Sequence, residues 1–197
     1  IDAMVHAIEA FTSVNPNNNP ISKMLSIEAL KLLGSSIEVA VSDGKNIKAR
    51  SNMLLGSMLA GKAFANSPVA AVHALAYPIG GLFNISHGLS NSLVLPHVLK
   101  FNSFNEDARK NYAYLAPYLF KNLENSKNDE KVCNHFIDLL ENLSKKLKLP
   151  YRLRDLRIPE EACNSMAKEA MKQTRLLVNN PRTIEESDAF NIYKASW

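Results

Sequence analysis

The sequence predicts an all-α, multi-helix bundle. Apolar residues recur at helical spacing in one segment after another, and no segment sustains the apolar–polar alternation of a half-buried strand. The 197 residues contain only 7 glycines and 9 prolines, too few for an all-β chain built on tight turns. The length suits one domain of the usual size.

The first helix is expected over residues 2–11, with Ala3, Met4, Ala7, Ile8 and Phe11 at helical spacing. The Asn/Pro-rich stretch from Ser13 to Pro20 ends it. Pro20 suits the first turn of a second helix, which reaches about Val41, and Gly44 is expected as its left-handed cap. A third helix is expected from about Asn46 to Ala65. Its Gly56 and Gly61, with Ala60 and Ala63, point to a close helix–helix approach. Ser67-Pro68 is expected to open a fourth helix that stops at Pro78 and Gly80-Gly81. A fifth starts near Ser86 and is expected to kink at Pro96. Further helices fit residues 106–119, 129–147, 159–177 and 184–197.

Charge is unevenly spread. Residues 1–100 hold seven basic and five acidic side chains, and residues 101–197 hold sixteen and fourteen. The first part is expected to supply most of the buried surface, and the second to form helices with wet outer faces. A formal net charge of +4 is too mild to demand nucleic acid. Lys145, Lys146, Lys148, Arg152, Arg154 and Arg157 form the one basic run. Cations near a helix C-terminus are favoured by its dipole, and with little aromatic interleaving beyond Tyr151 the run reads as a solvated helix end and loop. No run approaches the ~18 apolar residues of a membrane span, and no signal peptide is visible. Two cysteines, Cys133 and Cys163, make no disulfide framework, so a reducing, cytoplasmic setting is expected.

Chemistry concentrates in the histidines. Asp2 and His6 lie four apart on one helix and share a face. His73 sits on the fourth helix, and His87 follows fourteen residues later, past Gly80-Gly81, where a reversal could return it to His73. One carboxylate and three imidazoles are a plausible set for Fe²⁺ or Zn²⁺. Spacing alone leaves the plainer reading open, with Asp2–His6 as a helix-surface pair. His97 and His135 read as locally satisfied, and both cysteines as small buried hydrophobes.

The residues also resemble a known family. Asp2-Ala-Met-Val-His6-Ala-Ile-Glu-Ala, Ala63-Phe-Ala-Asn66, His73-Ala-Leu-Ala-Tyr-Pro-Ile-Gly-Gly81, His87-Gly88 with Asn91 and Leu95-Pro96, and Asn180-Pro181-Arg182 closely resemble the iron-containing (group III) alcohol dehydrogenases. The resemblance spans the whole chain in order. It implies that residues 1–197 are a helical metal-binding domain of the dehydroquinate synthase-like kind, the C-terminal half of a two-domain protein. The N-terminal α/β domain that binds NAD or NADP would be the missing half. A start at Ile1-Asp2, already inside a helical pattern, agrees with a piece of a longer chain.

The same resemblance implies that Asp2, His6, His73 and His87 are the metal ligands, for Fe²⁺ or alternatively Zn²⁺. It implies oxidation of a small alcohol, or reduction of an aldehyde, by hydride exchange with NAD(P). Phe64 would face the nicotinamide and substrate. Tyr77 stands where many members carry a further histidine, and a hydroxyl there could relay a proton. Partners implied are the substrate, the chain's own dinucleotide-binding domain and a homodimer formed chiefly through that domain, with no nucleic acid and no membrane. Alone, the chain is expected to bind metal weakly or not at all and to lack dehydrogenase activity. The alternatives are a related two-domain enzyme of the glycerol dehydrogenase or dehydroquinate synthase type, or a non-enzymatic helical module.

Overall fold

The computed structural model describes residues 1–120, 123 and 128–197. The described residues form helices and loops with no strand, as the all-α expectation requires. The helices are α1 (Asp2–Thr12), α2 (Pro20–Ser42), α3 (Ile47–Asn66), α4 (Ala71–Phe83), α5 (His87–Asn102), α6 (Glu106–Leu119), α7 (Asp129–Lys146), α8 (Ala162–Met171), α9 (Thr174–Leu177) and α10 (Glu186–Ser196), with a 3-10 turn at Leu153–Leu156. None is long and apolar enough to cross a membrane.

α1 is the hub. Met4, Val5, Ala7, Ile8 and Ala10 are fully buried, because α2, α3, α5 and α6 all pack on it. Burying a side chain the size of Met4 or Ile8 is worth roughly 1.5–3 kcal/mol, so the helix is held from every side. Its polar residues therefore stand out, since each must have a partner inside the core.

α2 and α3 form an antiparallel hairpin around the first of these flanks. Asn19 caps α2 by accepting from the Ile21 and Ser22 N–H groups at 2.9 and 3.1 Å, and Pro20 occupies the first helical position. Gly56 makes the close approach expected of it: a Cβ there would lie 2.8 Å from Leu33 and 3.3 Å from the Ala29 carbonyl oxygen. Gly61 does not, having nothing within 4 Å. Gly44 is not left-handed either; only Asn84, Lys148 and Arg157 have positive φ among the described residues. α2 ends instead at Asp43, whose N–H donates to the Val39 carbonyl.

α4 differs at both ends from the expected helix. Ser67 closes α3, donating its N–H to the Ala63 carbonyl and its hydroxyl to the Ala10 carbonyl at 2.6 Å. α4 begins only at Ala71 because its cap comes from another helix: the Glu9 carboxylate accepts from the Ala70 and Val72 N–H groups at 3.0 and 2.6 Å. α4 then continues through Pro78, Gly80 and Gly81. An internal proline costs about 3 kcal/mol in an isolated helix, but here the proline is buried, as are its neighbours Ala76 and Ile79. The buried Tyr193 hydroxyl donates to the nearby Leu75 carbonyl at 2.6 Å. Asn84, at φ 54°, is the residue that ends α4, and it turns the chain back toward α5.

α5 runs as one helix through Pro96. The segment expected as a single helix over 159–177 is two, α8 and α9, broken where Gln173 takes ψ 47°. The basic run resolves as the sequence implied. Lys145 pairs with Glu141 and Lys146 with Glu38, while Arg152 stacks over Tyr151 and Arg154 over Trp197. Cys133 and Cys163 are buried and unpaired; burial pushes the Cys133 thiol up to about 11, which makes it a poor nucleophile.

Gly34 and Gly61 provide a matched test of this packing. A Cβ on Gly34 would lie 2.2 Å from the Leu119 carbonyl oxygen, at the end of α6, whereas one on Gly61 meets open space. In urea denaturation, Gly34→Ala is expected to lose about 1–3 kcal/mol of stability by overpacking. Gly61→Ala is expected to gain about 0.4–1 kcal/mol by restricting the unfolded chain.

Candidate metal centre

Four of the sequence-predicted residues meet in one place. Asp2 is the first residue of α1 and His6 lies one turn on. His73 is the third residue of α4, and His87 is the first of α5. Each of the three helices thus contributes from its first turn, where side chains tilt back toward the N-terminus. The Asp2 Oδ1–His87 Nε2 distance is 3.5 Å, Asp2 Oδ1–His73 Nε2 is 3.9 Å and Asp2 Oδ2–His6 Nε2 is 3.9 Å. One ligating atom from each of the four residues lies within 4.8 Å of all the others.

The imidazole planes are nested as well. His6 stacks on His73 with ring centroids 4.8 Å apart, and His73 lies 5.3 Å from His87. Phe64, on α3, lies against His6 with ring centroids 4.5 Å apart. Tyr77, one turn along α4 from His73, lies 5.8 Å from the His87 ring. Both are half-buried, so the two flanking residues expected from sequence do border the cluster. Burial, followed by the charge of the neighbouring His73, holds His6 below the usual histidine range, and its imidazole is neutral at pH 7.

The donor set fits a divalent cation. A four-coordinate ion with bonds of about 2.0–2.2 Å sets its ligand atoms roughly 3.3–3.6 Å apart. The shortest observed separation, 3.5 Å, reaches that range, two at 3.9 Å lie just outside it, and the widest, up to 4.8 Å, closes by about an ångström on binding. Four acceptor atoms facing one another repel unless positive charge lies between them. The Asn91 amide, which is uncharged, supplies hydrogen-bond donors there instead. Its Nδ2 donates to Asp2 Oδ1 at 2.5 Å and stands 3.2 Å from His87 Nε2 and 3.4 Å from His73 Nε2. The two N–H hydrogens of Asn91 thus have three polar atoms within reach, while the buried Asn91 Oδ1 has no hydrogen-bond partner among the described residues.

The family model for the C-terminal part of the Fe-containing alcohol dehydrogenases matches residues 1–197. The chain belongs to that family. Long-chain-alcohol dehydrogenase 1 of Geobacillus thermodenitrificans is 38% identical over 197 residues, covering 100% of this chain and 49% of that protein. The 1,3-propanediol dehydrogenase of Citrobacter freundii is 32% identical over the same shares of both. Among solved structures, an alcohol dehydrogenase from Oenococcus oeni superposes with a TM-score of 0.92 at 31% identity, over 100% of this chain and 50% of that one. The chain therefore spans about half the length of the relatives it matches.

Two residues at the cluster had no role assigned from sequence. Asn91 lies one turn after His87 on α5. Glu9 lies three residues after His6 and is 4% exposed; its Oε2 is 2.6 Å from His73 Nδ1. The available signal was a lone glutamate among Ala7, Ile8, Ala10 and Phe11, on a helix that is otherwise apolar on that side. A carboxylate there must be paired if the helix is buried.

The remaining histidines lie outside the cluster. His135 is exposed. His97 is half-buried on α5, and burial holds it below the usual histidine range against an opposing pull from Glu141, with Lys100 and Arg152 reinforcing the shift. On acidification the unfolded chain protonates His97 first, so stability falls as pH drops below about 6.5. His97→Gln is expected to flatten the loss of urea-midpoint stability between pH 7.5 and 5.5, relative to wild type.

Proposed function

We propose that the chain is the metal-holding catalytic domain of a metal-dependent, NAD(P)-linked alcohol dehydrogenase or aldehyde reductase. The observation that carries this reading is the convergence of Asp2, His6, His73 and His87. Asp2, His6, His73 and His87 would hold Fe²⁺, the ion of the family name, or Zn²⁺, which the same donors suit and which the Irving–Williams order favours when both are supplied. A cation in that position supplies Lewis-acid polarisation of an alcohol or carbonyl oxygen.

The chain's own residues do the rest. One carboxylate among three neutral imidazoles leaves a dication with net positive charge. The N-terminal ends of α1, α4 and α5 converge on the same spot, and their dipoles favour negative charge developing there. Phe64 walls the cluster with an apolar face that excludes water on the side of His6. The Tyr77 ring lies 5.8 Å from the His87 ring, and its hydroxyl passes the substrate proton toward solvent, a role suited to a phenol that donates and accepts. Residues 1–197 form one helical domain in this reading, and the nicotinamide is held by a separate dinucleotide-binding unit, in keeping with relatives about twice as long. The substrate class is a small alcohol or aldehyde. The similar proteins named above act on molecules as different as long-chain alcohols and 1,3-propanediol, so chain length is left to the pocket wall that the other unit completes.

Metal analysis of the enzyme assembled with its nucleotide-binding unit and purified without chelator tests the core of this reading. Wild type is expected to carry about one Fe or Zn per chain. His73→Ala and His87→Ala are expected to carry almost none while keeping the helical circular-dichroism spectrum. Wild-type protein free of metal after reconstitution with Fe²⁺ or Zn²⁺ would return the cluster to a structural role. For Tyr77, the enzyme assembled with its nucleotide-binding unit is assayed as Tyr77→Phe. The expected result is a roughly 100-fold fall in kcat at unchanged metal content; an unchanged kcat would make Tyr77 a wall residue only.

A further inference from the structure

Glu9 does two things at once. Its carboxylate caps α4 through the Ala70 and Val72 N–H groups, and it contacts His73 Nδ1 at 2.6 Å. The cap needs only the backbone contacts. The third contact concerns a side chain that is itself 3% exposed and whose other nitrogen faces the cluster.

The chemistry of this contact is one-directional. Glu9 Oε2 already accepts the Ala70 N–H at 3.0 Å, and a carboxylate oxygen is an acceptor. His73 Nδ1 must then donate, which leaves the lone pair on Nε2. That is the nitrogen 3.9 Å from Asp2 Oδ1 and 3.4 Å from the Asn91 amide. We propose that Glu9 is a positioning residue that fixes His73 as its Nδ1–H tautomer and so presents Nε2 to the metal. The proposal rests on the four-ligand reading above. It adds a fifth residue, outside the ligand set, through which α1 controls the orientation and basicity of a ligand on α4. Carboxylate partners of ligating histidines characteristically act in this way. His6 and Glu9 lie one turn apart, so a single helix supplies one histidine ligand and orients another.

Two measurements on the enzyme assembled with its nucleotide-binding unit test this. The first is the His73 tautomer in metal-free protein, read from long-range ¹⁵N–¹H NMR correlations. Wild type is expected to show protonated Nδ1 and bare Nε2, and Glu9→Gln, which keeps the volume but presents an amide, is expected to lose that preference. The second is Zn²⁺ affinity by competition with a chromophoric chelator, where Glu9→Gln is expected to bind about 10- to 100-fold more weakly. A variant that loses thermal stability yet keeps the wild-type tautomer and affinity shows Glu9 to be a helix cap alone and overturns the proposal. Should Glu9→Gln fail to fold, an Nε2–H tautomer for His73 in wild type overturns it equally. Wild type that takes up no Zn²⁺ refutes the four-ligand reading itself, and that result is separate from a wild type that binds beside a variant that binds as tightly.

Discussion

One buried carboxylate ties the molecule together. Glu9 sits on the helix that α2, α3, α5 and α6 pack against, and it reaches across to begin α4 and to hold His73. A charge removed from water costs several kcal/mol unless it is fully partnered. Three donors satisfy this one, two of them backbone groups at a helix N-terminus where negative charge is already favoured. The same contact sets the position of α4 along α1, and with it the height at which His73 meets Asp2 and His6.

The rest of the centre follows from how helices begin. Asp2, His73 and His87 are all first-turn residues, and the loops before α4 and α5 differ in how they deliver them. Ser67 to Ala70 is pinned by hydrogen bonds to α1 and by the Asn179 amide, which donates to the Val69 carbonyl at 3.0 Å. Asn84 enters the left-handed region at φ 54°, a conformation asparagine tolerates better than most residues, and so reverses the chain within three residues. Gly88 lies close to the Asp2 side chain, where a Cβ would come within 3.4 Å, so the start of α5 can sit against the start of α1.

The centre is also an electrostatic compromise. Four lone-pair donors face one another with a single amide to satisfy them, and the buried Asn91 Oδ1 has no partner among the described residues. Such an arrangement is costly for a purely structural core, where polar groups are paired or absent. It suits a site that gains its remaining charge from an ion. Phe64 and the stacked imidazoles border it on one side, while His87, with 45% of its side chain exposed, leaves it open on another.

The sequence by itself determined the helical class, the approximate limits of α1, α2, α3, α6 and α7, and the four residues of the cluster together with their neighbours Phe64 and Tyr77. It could do so because apolar spacing and a ligand pair one turn apart are local signals, and because the motif joining His73 to His87 is specific to one family. Tertiary structure decided the rest. Whether Pro78 ends α4 depends on its burial in the core and not on propensity. Where α4 starts depends on a glutamate sixty-odd residues earlier in the chain. The break between α8 and α9 and the roles of Glu9 and Asn91 likewise depend on groups distant in sequence. These are contacts between elements, and hydrophobic periodicity records which face of a helix is buried without recording what it is buried against.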